Sequence, residues 1–136
     1  METGAQSKRL FPKVVGFIGV AVFLGSGLWA MVAPKSFFET AATFEPYNQH
    51  FLQDIGAFMV GLGVVLLLAL MAPRAAALGV ALAGVGAGSA AHTISHGLGR
   101  NLGGNPSVEI PMLAVLTLLL FGAAALALKD PFSRAE

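Results

Sequence analysis

The chain has 136 residues, of which 56% are hydrophobic and 11% are charged, and its mean hydropathy is +0.77. This composition lies outside the range of ordinary soluble domains and predicts an integral membrane protein. The net charge of +1 without a basic stripe argues against a nucleic-acid partner, and the lack of cysteine excludes disulfides and thiolate chemistry. Since no segment resembles an interdomain linker, we expect residues 1–136 to form a single integral membrane domain.

Four apolar segments are long enough to cross a bilayer, because about 20 helical residues span about 30 Å of hydrocarbon. They cover residues 14–32, 51–72, 75–95 and 110–128. Only Pro73 and Arg74 separate the second from the third, which predicts a tight antiparallel hairpin. The first segment is longer than the apolar part of a typical signal peptide, so we interpret it as a transmembrane helix. The predicted fold is therefore all-α, a four-helix transmembrane bundle.

Lysine and arginine fall mainly on one side of the four predicted spans. That side carries Lys8, Arg9, Lys13, Arg74, Lys129 and Arg134, whereas the other side carries Lys35 and Arg100. Short loops rich in these residues stay in the cytoplasm. The distribution therefore predicts a multi-pass protein of the cell (plasma) membrane with both termini cytoplasmic.

Aromatic residues are frequent in the loop after the first span. They are Phe37, Phe38, Phe44 and Tyr47, and Trp29 precedes them near the end of the span itself. Such residues are typical of the membrane interface, so we expect contact with membrane lipid and a short helix lying on the membrane. In the later outer loop, Pro106 is expected to start the fourth helix with Asn105 as its cap, which places Glu109 in the first turn.

Most acidic residues and all three histidines fall on the predicted outer side: Glu39, Glu45, His50, Asp54, His92, His96 and Glu109. His50 and Asp54 are four residues apart and share a helix face, and His92 and His96 do the same. At about 1.5 Å per residue, the two pairs reach matching depths. An ionisable group in a span is costly without a partner, so we expect Asp54 to pair with His92.

A row of small residues continues from the histidines of the third span. Counting back from His96 in steps of four gives His92, Gly88 and Gly84. Small residues at this spacing allow two helices to approach closely in lipid. We therefore expect this row to face the protein interior.

Imidazole and carboxylate groups gathered in one region predict a metal site. The predicted ligands are His50, Asp54, His92, His96 and Glu109, with Asn48 and Arg100 as supporting groups. Mixed ligands of this kind suit a divalent transition metal such as zinc, copper or iron. The sequence assigns no catalytic residue, and it leaves open whether the protein is an enzyme.

Three alternatives remain open. The polar residues could fix helix packing in a non-enzymatic accessory or scaffold subunit that forms a homo-oligomer or joins a larger membrane complex. Haem bound by His50 and a second histidine ranks below a simple ion, because the ligands lie near the aqueous face and only Arg100 is available for a propionate. The third alternative is an oxidoreductase acting on a lipid or quinone.

Two motifs carry a resemblance to a known group of proteins. Asn-x-His-x-x-x-Asp-x-Gly occurs at Asn48, His50, Asp54 and Gly56, and His-x-x-x-His occurs at His92 and His96. With these motifs the chain resembles a family of small four-helix membrane proteins common in actinobacteria, loosely akin to the DoxX-like proteins. The resemblance covers about residues 10–128 and implies the four-helix fold and the same polar residues. It implies no particular activity.

Overall fold

The computed structural model describes residues 2–129, and it describes side chains from residue 10 onward. Its helices are α1 (Glu2–Val32), α2 (Pro34–Thr40), α3 (Gln49–Met71), α4 (Ala75–Leu98) and α5 (Pro106–Leu128). Within the described residues there is no strand, so the all-α prediction is confirmed. Arg134 and the side chains of Lys8 and Arg9, on which the orientation prediction partly depends, lie outside this description.

Four helices are long and apolar enough to cross a membrane. The candidate spans are Leu10–Val32, Gln49–Met71, Ala75–Leu98 and Pro106–Leu128. The third span ends at Leu98 and not at residue 95 as predicted, and the fourth begins at Pro106 and not at residue 110. Pro106 explains the early start of α5, because its fixed φ suits the first helical turn. The short helix expected after the first span is present as α2, and it is separated from α1 by Ala33, whose helical conformation the following proline disfavours.

Large apolar side chains cover the outside of the bundle. Phe58 on α3, Val80 on α4 and Leu118 on α5 are 77%, 65% and 71% exposed. A soluble monomer rarely exposes apolar surface on every side, whereas lipid tails solvate it without cost. The fold thus defines a small multi-pass membrane protein.

The bundle consists of two closely packed helix pairs, α1 with α3 and α4 with α5. Fewer contacts between α1 and α5, and between α3 and α4, join the pairs. Val15, Leu66, Leu82 and Leu120 come from four different helices and are almost completely buried together. These residues lie toward the Pro73 turn. The opposite end, where α1 and α4 end and α3 and α5 begin, contains the histidines, and we call it the histidine end.

Glycines bring the backbones of α1 and α3 into direct contact. A Cβ atom on Gly27 would lie 2.8 Å from the Gly56 carbonyl oxygen and 2.8 Å from the Val60 nitrogen. A Cβ atom on Gly56 would in turn lie 2.7 Å from the Gly27 carbonyl oxygen. Close packing of this kind is a main source of helix association in lipid, where the hydrophobic effect contributes little between helices.

Hydroxyl groups link α4 to α5. Ser89 Oγ lies 2.8 Å from Thr117 Oγ1, and both side chains are buried. Thr117 donates its hydroxyl hydrogen to the Leu113 carbonyl, and Thr93 donates to the Ser89 carbonyl, each at 2.8 Å. Ser89 is therefore the group that donates across the interface. Each of these three hydroxyl hydrogens has an acceptor, as burial between membrane helices requires.

The predicted glycine row of α4 does not face the interior of the chain. Gly84 and Gly88 are exposed, and a Cβ atom on either would meet nothing within 4 Å. The prediction is wrong because α4 is rotated to bury Leu82, Val85 and Ser89 against its neighbours. This rotation exposes His92, which continues the glycine row, and turns His96 partly inward.

We expect Gly27→Ala and Gly56→Ala each to lower the free energy of unfolding by about 1–3 kcal/mol, because a methyl group at either position overlaps the backbone of the facing helix. The measurement is thermal unfolding in detergent, followed by circular dichroism. Gly61→Ala is the matched control, since its methyl group would enter open space on the same helix as Gly56. Equal effects at Gly56 and Gly61 would contradict the close helix contact.

Candidate metal centre at the histidine end

The centre of the site is a contact between His96 and Glu109. His96 Nδ1 lies 3.0 Å from Glu109 Oε2, and the two side chains are 16% and 20% exposed. The other carboxylate oxygen, Oε1, accepts a hydrogen bond of 2.7 Å from the backbone nitrogen of Asn105. Both oxygens of Glu109 are therefore engaged, and the carboxylate also lies at the N-terminal end of α5, where the helix dipole favours negative charge.

Two glycines shape the loop that holds this carboxylate. Gly103 and Gly104 have φ angles of 131° and 72°, which side-chain-bearing residues rarely adopt. A Cβ atom on Gly104 would also lie 2.8 Å from Glu109 Oε1 and 2.9 Å from Phe44 Cζ. The loop thus requires glycine for its backbone conformation and for the space that Glu109 and Phe44 occupy.

Phe44 covers one side of His96. The two rings meet edge to face, with centroids 5.5 Å apart. Phe44 belongs to the loop between α2 and α3, and the neighbouring Thr43 carbonyl accepts a hydrogen bond of 3.3 Å from the Gly104 nitrogen. The loop of one helix pair therefore shields the histidine of the other pair. The sequence indicates only a position at the membrane interface for Phe44, because its contact partner is more than 50 residues away in the chain.

His92 lies beside His96 but faces outward. The two imidazole rings are 4.6 Å apart between centroids, in an edge-to-face arrangement, and His92 is exposed. An ionised Glu109 can only accept a hydrogen bond, so His96 presents Nδ1–H to it. When His96 is neutral, its Nε2 then carries the free lone pair. The structure thus brings His92, His96 and Glu109 together.

His50 and Asp54 form a separate pair on α3. His50 Nε2 lies 3.5 Å from Asp54 Oδ2, and the side chains are 88% and 55% exposed. Asp54 and His92 are equally far along their helices from the Pro73 turn, as the depth argument predicts. Among residues 10–129, however, no hydrogen bond or ion pair joins Asp54 to His92. The carboxylate contacts the histidine of its own helix instead, because the i, i+4 neighbour is within reach without any tertiary contact.

The two predicted supporting residues lie outside the cluster. The side-chain oxygen of Asn48 accepts a hydrogen bond of 3.0 Å from the Phe51 nitrogen and caps α3. Arg100 is exposed in the loop after α4. Asn105 occupies the expected N-cap position of α5, but its side chain makes no capping bond, and Glu109 binds its backbone instead.

In the side chains that the structure describes, no group of three or more histidine, aspartate or glutamate residues has the arrangement of a metal site. The five predicted ligands form two separate sets, one on α3 and one between α4 and α5. Binding of one metal ion by all five residues stays a prediction. Binding of haem by one histidine from each set also stays a prediction. The α4–α5 set is the one with a preformed, partly buried geometry.

No family model matches the chain, and no match is found among curated proteins or solved structures. The class of protein is therefore defined by the fold, a small four-span membrane bundle. Its candidate site is the His92–His96–Glu109 cluster.

We expect Gly104→Ala to displace Glu109 and Phe44 and to uncover His96. The added methyl group would overlap the side chains of Glu109 and Phe44, and the positive φ of residue 104 is unfavourable for alanine. The measurement is the rate at which diethyl pyrocarbonate modifies His96, followed by peptide mass spectrometry. In the wild type His96 should react several-fold more slowly than the exposed His50, and in the variant the two rates should approach each other. Gly97→Ala, whose methyl group meets open space, is the control. A slow His96 in Gly104→Ala would contradict the assigned role of this loop.

Proposed function

We propose that this membrane protein binds a divalent transition metal at the histidine end, through His92 and His96, with Glu109 as the residue that positions His96. The single observation that carries the proposal is the 3.0 Å contact between His96 Nδ1 and Glu109 Oε2. In metal-bound histidines the N–H of the second ring nitrogen generally donates a hydrogen bond to a carboxylate or carbonyl oxygen, which fixes the tautomer and the ring orientation.

The donor set supports this proposal. Two imidazoles four residues apart on one helix can bind the same ion, and imidazole suits zinc, copper and iron. Glu109 is already engaged by the Asn105 nitrogen and by His96, so its role is to orient the ligand and not to bind the ion directly. The chain then supplies two ligands, and water or another molecule supplies the rest. Open coordination positions are typical of metal sites at which bound water is replaced by another molecule.

We expect untagged protein in detergent, loaded with zinc, copper or iron and then freed of excess metal, to retain one of these ions near stoichiometrically. His92→Ala and His96→Ala should abolish retention, and Glu109→Gln should weaken affinity about 10–100-fold through the loss of orientation. The measurements are elemental mass spectrometry and a competitive metal titration. His50→Ala is the matched control, because His50 belongs to the separate exposed pair on α3.

The other outcomes are distinguishable. Loss of metal in both His50→Ala and Asp54→Ala would favour the wider five-residue site predicted from the sequence. A Soret band in the visible spectrum would make haem the ligand. Absence of metal after loading would overturn the proposal and favour an accessory or scaffold subunit. For that second candidate, the exposed row of Gly84 and Gly88 offers a surface on which another membrane helix could pack closely.

We further propose that the histidine end faces the outside of the cell membrane, as the loop lysines and arginines predict. The chain lacks cysteine, so single cysteines can report orientation. Asn101→Cys, exposed in the loop after α4, should react with a membrane-impermeant maleimide in intact cells. Lys129→Cys, at the opposite end, should react only after permeabilisation. The reverse pattern would place the site in the cytoplasm.

A further inference from the structure

A cleft separate from the histidine cluster opens beside α2. It is shallow and open to the surroundings, with a volume of about 690 Å³, and its lining includes Pro34, Lys35, Ser36, Glu39, Tyr47 and Gln49. These residues come from α2, from the loop that follows it and from the first turn of α3. The cleft therefore has side-chain groups of both charges and several hydrogen-bonding groups at one end of a membrane-spanning bundle.

The two charged residues of the cleft form only a weak ion pair. Lys35 Nζ lies 4.0 Å from Glu39 Oε1, and the side chains are 78% and 60% exposed. Exposed ion pairs four residues apart on a helix contribute little to stability, since water screens both charges. Each charge is therefore available to a ligand of opposite sign, and the two backbone positions are one turn of α2 apart.

Neutral polar groups also line the cleft. Ser36 Oγ accepts a hydrogen bond of 3.3 Å from Trp29 Nε1, which leaves the serine hydroxyl hydrogen for another acceptor. The amide of Gln49 supplies further hydrogen-bond donors. Donors combined with an ammonium group match the oxygens of a phosphate.

The position of the cleft indicates what surrounds it. The span of α1 ends at Val32, and the cleft begins at the next residues. Trp29 and Tyr47, which are partly exposed beside it, are residue types enriched at the level of lipid headgroups. We therefore expect lipid headgroups to reach a cleft at this level.

We propose that this cleft binds the headgroup of a zwitterionic phospholipid with a primary ammonium group, phosphatidylethanolamine. Lys35 contacts the phosphate, and Glu39 accepts hydrogen bonds from the ammonium. Phosphatidylglycerol, an anionic lipid, has no ammonium group and leaves Glu39 beside negative charge. A choline headgroup carries positive charge but has no N–H to donate to the Glu39 carboxylate. The charge pattern of the cleft thus selects for a headgroup with opposite charges and a hydrogen-bonding cation.

The test uses the full chain reconstituted in vesicles of equal parts phosphatidylethanolamine, phosphatidylglycerol and phosphatidylcholine, then transferred to mild detergent. Native mass spectrometry identifies the lipids that stay bound. We expect wild-type protein to retain mainly phosphatidylethanolamine, and Lys35→Gln to reduce this retention several-fold. Glu39→Gln should shift retention toward phosphatidylglycerol, because Lys35 then lacks its negative neighbour.

Arg100→Gln is the matched control. It removes one exposed positive charge from the same end of the bundle, outside the cleft, and should retain lipid as the wild type does. Lys35 and Glu39 are exposed, so circular dichroism should show the three variants folded. Equal retention of the three lipids by the wild type would overturn the proposal. Equal loss in Lys35→Gln and Arg100→Gln would also overturn it, because binding would then follow net charge alone.

Discussion

The backbone contact between Gly27 and Gly56 is the constraint on which the histidine end depends. It fixes where α3 begins relative to the end of α1, and Ala30, Phe37 and Leu52 pack together beside it. Gln53 strengthens this arrangement by donating a hydrogen bond of 3.2 Å to the Met31 carbonyl at the end of α1. Because α1 and α3 are held in this way, the two ends of the segment that joins them are anchored. Within this segment the Thr43 carbonyl accepts a hydrogen bond from the Gly104 nitrogen, and Phe44 packs against His96 of the other helix pair.

The second helix pair contributes the polar half of the site. The face of α4 that meets α5 carries Ser89 and Thr93 deep in the bundle and His96 near the loop, so one interface contains both the hydroxyl contacts and the His96–Glu109 contact. In a membrane these groups need partners, since water is absent from the hydrocarbon region. The interface satisfies them pairwise. The helix packing and the candidate site therefore share one interface, between α4 and α5.

The two polar features of the histidine end differ in burial and in charge, and we propose different ligands for them. The cluster of His92, His96 and Glu109 is partly covered, and its proposed ligand is a metal ion. The cleft with Lys35 and Glu39 is open and carries opposite charges, and its proposed ligand is a lipid headgroup. The loop between α2 and α3 contributes Phe44 to the first and Tyr47 to the second.

The sequence by itself determined the four spans, the short helix after the first span and the loop-end location of all three histidines, because hydropathy and i, i+4 spacing are local properties. It did not determine which face of α4 is buried. Gly84, Gly88 and His92 formed a plausible interior row, yet the packing of Leu82 and Ser89 against neighbouring helices turned that row outward. Only the tertiary structure decided that Glu109 contacts His96, that Asp54 contacts His50 and that Phe44 covers the site. Such contacts depend on helix rotation and on which helices pair, and no short-range pattern encodes either property.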